Sequence, residues 1–221
     1  MNKFLELSSS PLMNLDHTYR YSGTKLAEPE SLSAHVVDTI MMGMKIIDDM
    51  NKLVPDSLNL QVYLTKAVIH DLEEVVTGDV PRPLKYHDKN TLQAMRDVAD
   101  EVATDLFQKE FSYDYSYYYD IWKTAKDGAE GFILKIVDNL VVVHKVVKEV
   151  SLLNNYYMLR VAHEVSQYTK ELRDQVIKSD YFSDVTQRYY LDDLLEDAIE
   201  CMDDILEEHK DKLSICSHSM I

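Results

Sequence analysis

Along almost all of the chain after residue 30, apolar side chains recur at intervals of three and four residues, and no segment alternates in the way of a β-strand. Because this spacing gathers the apolar side chains on one helix face, it predicts an all-α fold of about six or seven helices. The predicted bounds are Ser31 or Ser33 to about Leu53, Leu60 to Val76, Thr91 to Phe107, Lys126 to Asn154, Tyr156 to Ile177 and Val185 to Leu213.

The length and composition are typical of a single globular domain. A chain of 221 residues buries about two thirds of its unfolded surface, so that it needs no disulfide or metal to fold. Only five glycines and five prolines occur, which excludes collagen-like and low-complexity chains. The two cysteines, Cys201 and Cys216, are too few for a secreted disulfide framework. We expect two unpaired thiols in a reducing compartment, with a Cys201–Cys216 bridge as the alternative.

Charge and hydropathy limit the partners. The formal net charge of −16 at pH 7 argues against a nucleic-acid polymer or an anionic membrane as the main partner. A small anionic ligand remains possible, because a pocket can be locally positive on an acidic protein. The N-terminus lacks the apolar core of a signal peptide, and charged side chains interrupt the most apolar stretch, 132–150. We therefore expect a cytoplasmic protein that does not span a membrane.

The segment 67–86, AVIHDLEEVVTGDVPRPLKY, contains a group of potential metal ligands. His70 and Asp71 adjoin at the end of an apolar stretch, and Glu74 follows His70 by four residues. On a helix these two positions project from one face, so that His70 and Glu74 can face one cavity. An imidazole beside a carboxylate suits Mn, Co, Fe, Zn or Mg. The His70-Asp71 dipeptide alone is weak evidence for a metal site, since such pairs also occur at solvated helix ends.

Two further polar side chains occupy positions that the periodicity assigns to the core. His35 lies within an apolar helical segment, and Asp138 lies in LKIVDNLVVV. A buried imidazole without a partner is costly, and so is a buried carboxylate without a cation. One metal ion bound by His35, His70, Asp71 and Asp138 would remove these costs together. For His35 the alternative is a core histidine that hydrogen bonds satisfy.

Taken together, these residues resemble the H…HD…D metal site of the HD-domain phosphohydrolase superfamily. The run HDLEEVVTGDVPRPLKY is similar to the HDxxExxxGDxPxPxKY run of bacterial HD-domain 5′-deoxynucleotidases. Arg20-Tyr21 precedes His35 at the spacing of that family's Arg-aromatic pair, and DNLVVVHKVVKEV resembles the family's D-A-L-…-Y-L-…-E helix. The resemblance covers residues 15–165. It implies one HD domain over residues 1–221, with a C-terminal helical extension at 185–213.

The resemblance also implies the chemistry of the site. His35, His70, Asp71 and Asp138 would bind one divalent metal ion (Co, Mn, Zn, Fe or Mg), which activates a water molecule and neutralises charge at the phosphorus. Glu74 would orient or deprotonate that water, with a solvated helix position as the alternative.

Five other residues are implied to contact the substrate. Asp79 would contact the sugar or assist protonation of the leaving group, and its alternative is a turn or capping role. Arg20 would position the phosphate or the sugar, and Tyr21 would pack where a 2′-hydroxyl does not fit. Lys85 and Arg82 would add positive charge to the pocket, with plain surface exposure as the alternative for each.

The implied reaction is release of phosphate from deoxyribonucleoside 5′-monophosphates. The implied partner is a small-molecule deoxynucleotide, and the implied assembly is a homodimer or a higher homo-oligomer. One alternative is a deoxynucleoside triphosphate triphosphohydrolase, like the phage-encoded relatives that remove dATP, and another is a catalytically silent nucleotide-binding module. Two residues depart from the family pattern: Tyr21 replaces a Trp, and Ala34 replaces a frequent acidic residue. Both departures bear on the identity of the substrate more than on metal binding.

The segment 111–120, FSYDYSYYYD, contains five tyrosines and precedes Trp122. One interpretation is functional, as a lid or as an aromatic platform for a base. The second interpretation is structural, as a connecting segment or a subunit contact. We favour the second interpretation.

Overall fold

A computed structural model describes residues 2–213, except for the side chain of Pro83, and this part of the chain contains helices and no strand. The helices in chain order are α1 Lys3–Ser8, α2 Leu32–Leu53, α3 Leu60–Ile69, α4 Glu74–Thr77, α5 Arg82–Lys85, α6 Lys89–Glu110, α7 Tyr115–Lys123, α8 Gly128–Val147, α9 Leu159–Lys178 and α10 Val185–Glu208. Among the described residues, seven of these helices have nine or more residues. The predicted all-α fold is confirmed.

The predicted helix from Leu60 to Val76 is wrong, because it is interrupted after Ile69. The chain turns through residues 70–73, and the short helix α4 begins at Glu74. In the turn, the N–H groups of Leu72 and Glu74 donate to carbonyls only three residues earlier, each at 3.1 Å. This tighter winding means that His70 and Glu74 do not share one continuous helix face.

The other predicted helices are present with shifted ends. Of the two predicted start residues, Ser31 and Ser33, it is Ser31 whose side chain caps α2 by accepting a hydrogen bond from the Ala34 N–H group. Helix α8 continues into a π-helical turn, Lys148–Leu152, and a 3-10 turn, Tyr156–Met158, precedes α9. The tyrosine-rich segment, for which no helix was predicted, forms most of α7.

Helix α8 lies at the centre of the bundle. Its consecutive residues Phe132, Ile133 and Leu134 are all buried, as are Ile136 and Val137, so that neighbours cover the helix on nearly every side. Helices α2, α3, α9 and α10 pack against it, and α10 also lies along α9. A polar side chain on the α2 and α3 side of α8 therefore points into the protein.

No helix within residues 2–213 is long and apolar enough to cross a membrane. Cys201 forms no disulfide with another described residue. Cys216 lies outside the described residues, so that the expectation for the second thiol stays a prediction.

Candidate metal centre

The four predicted metal ligands converge from three helices, and we call these four residues the metal cluster. His35 projects from α2, His70 and Asp71 follow the last residue of α3, and Asp138 projects from α8. One ligand atom of each residue lies within 4.8 Å of those of the other three. The Nε2 atom of His35 is 3.2 Å from Oδ1 of Asp138 and 3.9 Å from Oδ2 of Asp71. The fold therefore brings together residues that are up to 103 positions apart in the sequence (138 − 35).

A backbone carbonyl orients the imidazole of His70, and a carboxylate lies behind the imidazole of His35. The Nδ1 atom of His70 lies 2.9 Å from the carbonyl oxygen of Ala67, which leaves Nε2 facing the cluster. The Nδ1 atom of His35 faces Oε1 of Glu30 at 3.9 Å, and Glu30 is itself buried. A hydrogen-bond acceptor behind the distal nitrogen is the usual support of a metal-binding histidine.

The donor set of the metal cluster fits a divalent cation. Neither His35 Nε2 nor His70 Nε2 has a hydrogen-bond partner among the described residues, although both atoms are buried. Oδ2 of Asp71 lies 3.0 Å from His70 Nε2 without the alignment of a hydrogen bond, so that the two groups stand side by side. Two imidazole nitrogens and two carboxylates suit Zn, Mn, Co or Fe.

The electrostatics of the metal cluster favour a neutral His35 and an ionised Asp138, whereas burial lowers the pKa of His70 but Asp71 outweighs burial and leaves that pKa raised. Burial lowers the pKa of His35, and the charge of Arg20 lowers it further, so that the imidazole stays neutral. Burial raises the pKa of Asp138, but Lys126 and the two histidines outweigh burial and hold the pKa well below its usual value. The carboxylate is therefore ionised.

Glu74 and Arg20 lie next to the metal cluster. Oε2 of Glu74 and Nη1 of Arg20 are buried and have no hydrogen-bond partner in the described part of the chain. Burial and the charge of Asp71 raise the pKa of Glu74 well above its usual value, while Arg20 opposes them. Burial lowers the pKa of Arg20, but neighbouring groups, Asp138 and Asp71 among them, leave it above its usual value. The charge of the Arg20 guanidinium thus interacts with the carboxylates of the cluster.

Tyr21 and Asp79 are joined by a contact that the sequence did not predict. The backbone of Tyr21 is in the left-handed region, with φ of 62°, and its N–H group donates to Oδ2 of Asp79 at 2.6 Å. Ser22 Oγ donates to the carbonyl oxygen of Asp79 at 3.2 Å. A left-handed conformation is costly for a residue other than glycine, so that Asp79 stabilises the loop that presents Arg20 and Tyr21.

The predicted basic residues lie on the surface. Arg82 is exposed, and its guanidinium carbon lies 4.1 Å from the ring centre of Tyr168 and 5.1 Å from that of Tyr86. Lys85 is exposed and makes no ion pair with another described residue. The structure thus packs Arg82 against α9, and it leaves Lys85 in solvent.

Three charged residues around the metal cluster were not predicted from the sequence. Lys126 forms an ion pair with Asp138, and Oε1 of Glu30 lies 3.9 Å from Nδ1 of His35. Glu73 accepts a hydrogen bond from Trp122 Nε1 at 2.6 Å, which joins α7 to the turn after His70. Burial and the charge of Asp71 raise the pKa of Glu73 to about 7. The position of Glu30 just before the helix cap is a weak sequence signal for a role near His35. No spacing rule identifies Lys126 or Glu73 as part of the site.

The tyrosine-rich segment 111–120 is partly packed and partly exposed. Tyr118 stacks on Phe111, with 4.1 Å between the ring centres, and Tyr113 is fully exposed. Both interpretations of this segment stay open.

Solved structures show which class of proteins shares this fold. An HD-domain phosphohydrolase from Listeria innocua has a TM-score of 0.69 at 19% sequence identity, covering 96% of this chain and 98% of that one. The cyanophage S-2L HD phosphohydrolase DatZ, bound to dA and one catalytic Zn²⁺ ion, has a TM-score of 0.61 at 14% identity, covering 87% and 96%. At these identities the likeness shows the fold, which is that of the all-α HD-domain phosphohydrolases.

Sequence comparison narrows the class to a family. A profile of the family described as 5′-deoxynucleotidase YfbR-like matches residues 9–190. The 5′-deoxynucleotidase of Yersinia pestis (strain Pestoides F) is 25% identical over 158 residues, which are 70% of this chain and 77% of the relative. The chain belongs to the YfbR-like 5′-deoxynucleotidase family, and the resemblance read from its motifs is confirmed. It is therefore an enzyme of the HD-domain phosphohydrolase type.

Proposed function

We propose that this enzyme releases phosphate from deoxyribonucleoside 5′-monophosphates with the help of one divalent metal ion. The observation that carries the proposal is the metal cluster, in which two buried imidazole nitrogens without partners face two carboxylates. Membership of the family supports the 5′-nucleotidase over the triphosphohydrolase alternative. The dA bound to DatZ supports a small-molecule deoxynucleotide as the partner.

The metal ion would bind to His35, His70, Asp71 and Asp138, and it would supply Lewis-acid stabilisation of the phosphate and a more acidic water. Glu74 orients the attacking water and accepts its proton, because a buried carboxylate with a raised pKa is a stronger base than a solvated one.

The loop before α2 binds the substrate. Arg20 donates to a phosphate oxygen, since its buried guanidinium is charged and Nη1 has no partner within the described residues. Tyr21 packs against the deoxyribose. Asp79 holds Tyr21 through Oδ2, and we propose that its other carboxylate oxygen contacts the sugar or assists the leaving group. Arg82 and Lys85 add positive charge on the approach to the site, and the homodimer stays a prediction.

A product assay tests the proposal. Each deoxynucleoside mono- and triphosphate and its ribonucleotide counterpart is offered with Co, Mn, Mg or Zn, and the products are separated chromatographically. We expect inorganic phosphate from the deoxynucleoside monophosphates, with the ribonucleotides rejected. Release of tripolyphosphate would select the triphosphohydrolase instead. No product with any metal would leave only the silent nucleotide-binding module.

A further inference from the structure

One cation that the proposed reaction does not use lies directly against the metal cluster. The Nζ atom of Lys126 forms an ion pair with Oδ2 of Asp138, while Oδ1 of the same carboxylate faces His35. We propose that Lys126 holds Asp138 until a divalent ion binds, and that it then binds the phosphate group of the substrate. The second half of this inference rests on the proposed function, and the first half does not.

The loop that presents Lys126 is held in place by two helices. Lys66, on α3, donates through Nζ to the carbonyl oxygens of Thr124 at 2.5 Å and Asp127 at 3.0 Å. Gly131, in the first turn of α8, lies so close to the loop that an added Cβ would be 2.6 Å from the carbonyl carbon of Lys126. A larger residue at position 131 would push the loop away. The hydrogen bonds of Lys66 and the close packing against Gly131 therefore fix the backbone position of Lys126.

Lys126 also lies on the side of the metal cluster that solvent reaches. The side chains of His35 and His70 have no exposed surface, whereas 25% of Asp138 and 38% of Lys126 are exposed. A phosphate that approaches from solvent meets this ammonium group.

A bound cation would change the partner of Lys126. The divalent ion and the ammonium group of Lys126 would compete for the carboxylate of Asp138. These two positive charges would also repel each other. Once released, Lys126 stays next to the metal because its loop is anchored. A lysine is then a suitable point charge for a phosphate dianion, complementing Arg20 on the loop before α2.

Metal affinity tests the first half. The full-length protein is stripped with a chelator and titrated with Mn²⁺ by calorimetry, as wild type and as Lys126→Met, Lys126→Arg and Lys123→Met. Lys123 is the matched control, because it lies on the same segment but pairs with Asp100 of α6. We expect Lys126→Met to bind Mn²⁺ at least about fivefold more tightly, the two other variants to match wild type, and all four to melt cooperatively. Unchanged or weaker Mn²⁺ binding by a folded Lys126→Met would overturn the inference.

Phosphate affinity tests the second half. Inorganic phosphate is titrated into each Mn²⁺-loaded protein, and we expect about tenfold weaker binding by Lys126→Met with substantial rescue by Lys126→Arg. Equal phosphate affinity in Lys126→Met and wild type would overturn the role in phosphate binding. Neither titration requires turnover. A wild type that hydrolyses no nucleotide would therefore refute the proposed function while both binding results stand.

Discussion

Among the single residues, Glu30 places a buried carboxylate behind the imidazole of His35. The Nδ1 atom of His35 faces Glu30, which is buried and has an Oε1 atom without a hydrogen-bond partner in the described structure. If Nε2 of His35 binds a metal ion, Nδ1 carries the proton and Oε1 of Glu30 lies 3.9 Å from it. The pair would then fix both the tautomer and the orientation of the ring.

The first prediction concerns this support. Glu30→Gln should weaken Mn²⁺ binding by about tenfold, because the amide orients His35 less strongly than a carboxylate does. Calorimetric titration of the stripped protein measures the change. Glu28→Gln is the matched control, since Glu28 lies two residues away and pairs with Lys148 at the surface. Equal affinity in Glu30→Gln and wild type would show that Glu30 does not support the ligand.

The second prediction separates Glu74 from the metal ligands. Glu74→Gln should lower kcat by about 10²- to 10⁴-fold, because it removes the base that accepts the proton of water. Mn²⁺ affinity should stay close to that of wild type. Steady-state kinetics and calorimetry measure the two effects, and Glu101→Gln on the exposed side of α6 is the control. Near-normal turnover with metal bound would exclude a catalytic role for Glu74.

At the scale of elements, the end of α8 anchors the loop that leads into the site. Glu149 lies in the π-helical turn that follows α8, and it is fully buried. Its carboxylate accepts hydrogen bonds from the N–H groups of Ala27 and Glu28 at 2.8 and 3.0 Å, and from Asn155 Nδ2 at 2.6 Å. Lys145 completes the cluster with an ion pair at 3.0 Å. The loop between Tyr21 and Glu30 is therefore attached to the central helix.

The third prediction measures this anchor. Glu149→Gln should lower the free energy of unfolding by about 3 kcal/mol at pH 7, because it leaves Lys145 buried without its counterion. Urea unfolding measures the loss. Glu28→Gln should change the stability by less than about 0.5 kcal/mol, because the Glu28 ion pair is exposed. A comparable loss in both variants would contradict the anchoring role.

The stability difference should also depend on pH. Burial raises the pKa of Glu149, but Asn155, two backbone N–H groups and Lys145 lower it from 4.5 to about 2. Because the pKa is depressed in the folded state, the stabilisation is present above about pH 4.5 and is lost as the pH falls toward 2. The difference between wild type and Glu149→Gln should therefore narrow between pH 5 and pH 3. A constant difference would mean that the carboxylate charge does not stabilise the fold.

At the scale of the whole molecule, a metal ion would link three helices that are far apart in the sequence. It would join α2, the end of α3 and α8, and binding of this kind stabilises the folded state alone. The bundle does not depend on the metal for its core, because α8 is buried by neighbours along its length.

The fourth prediction follows from this linkage. At a Mn²⁺ concentration of about 100 times Kd, the wild-type protein should gain roughly 2.7 kcal/mol, or several degrees in Tm. Asp71→Ala should lose both this shift and the activity, since it removes one ligand. Thermal unfolding with and without chelator measures the shift. A Tm shift of wild-type size in Asp71→Ala would mean that the metal binds elsewhere.

The helical fold and the four residues of the metal cluster were predictable from the amino-acid sequence. Helical spacing is a local property, so that it predicts helices from short stretches of chain. His35 and Asp138 were recognisable because polar groups at core positions contradict that spacing, and such conflicts mark functional sites. The motif around His70 then identified the superfamily.

The contacts that support and surround the cluster could be read only from the three-dimensional packing. Glu149 contacts a backbone 122 residues away, and Asp79 contacts one 58 residues away. Lys126 lies only 12 residues before Asp138, but it reaches that carboxylate because Gly131 lets the loop lie against α8. Such contacts depend on how helices and loops pack in three dimensions. No periodicity along the chain records that packing, because periodicity describes one element at a time.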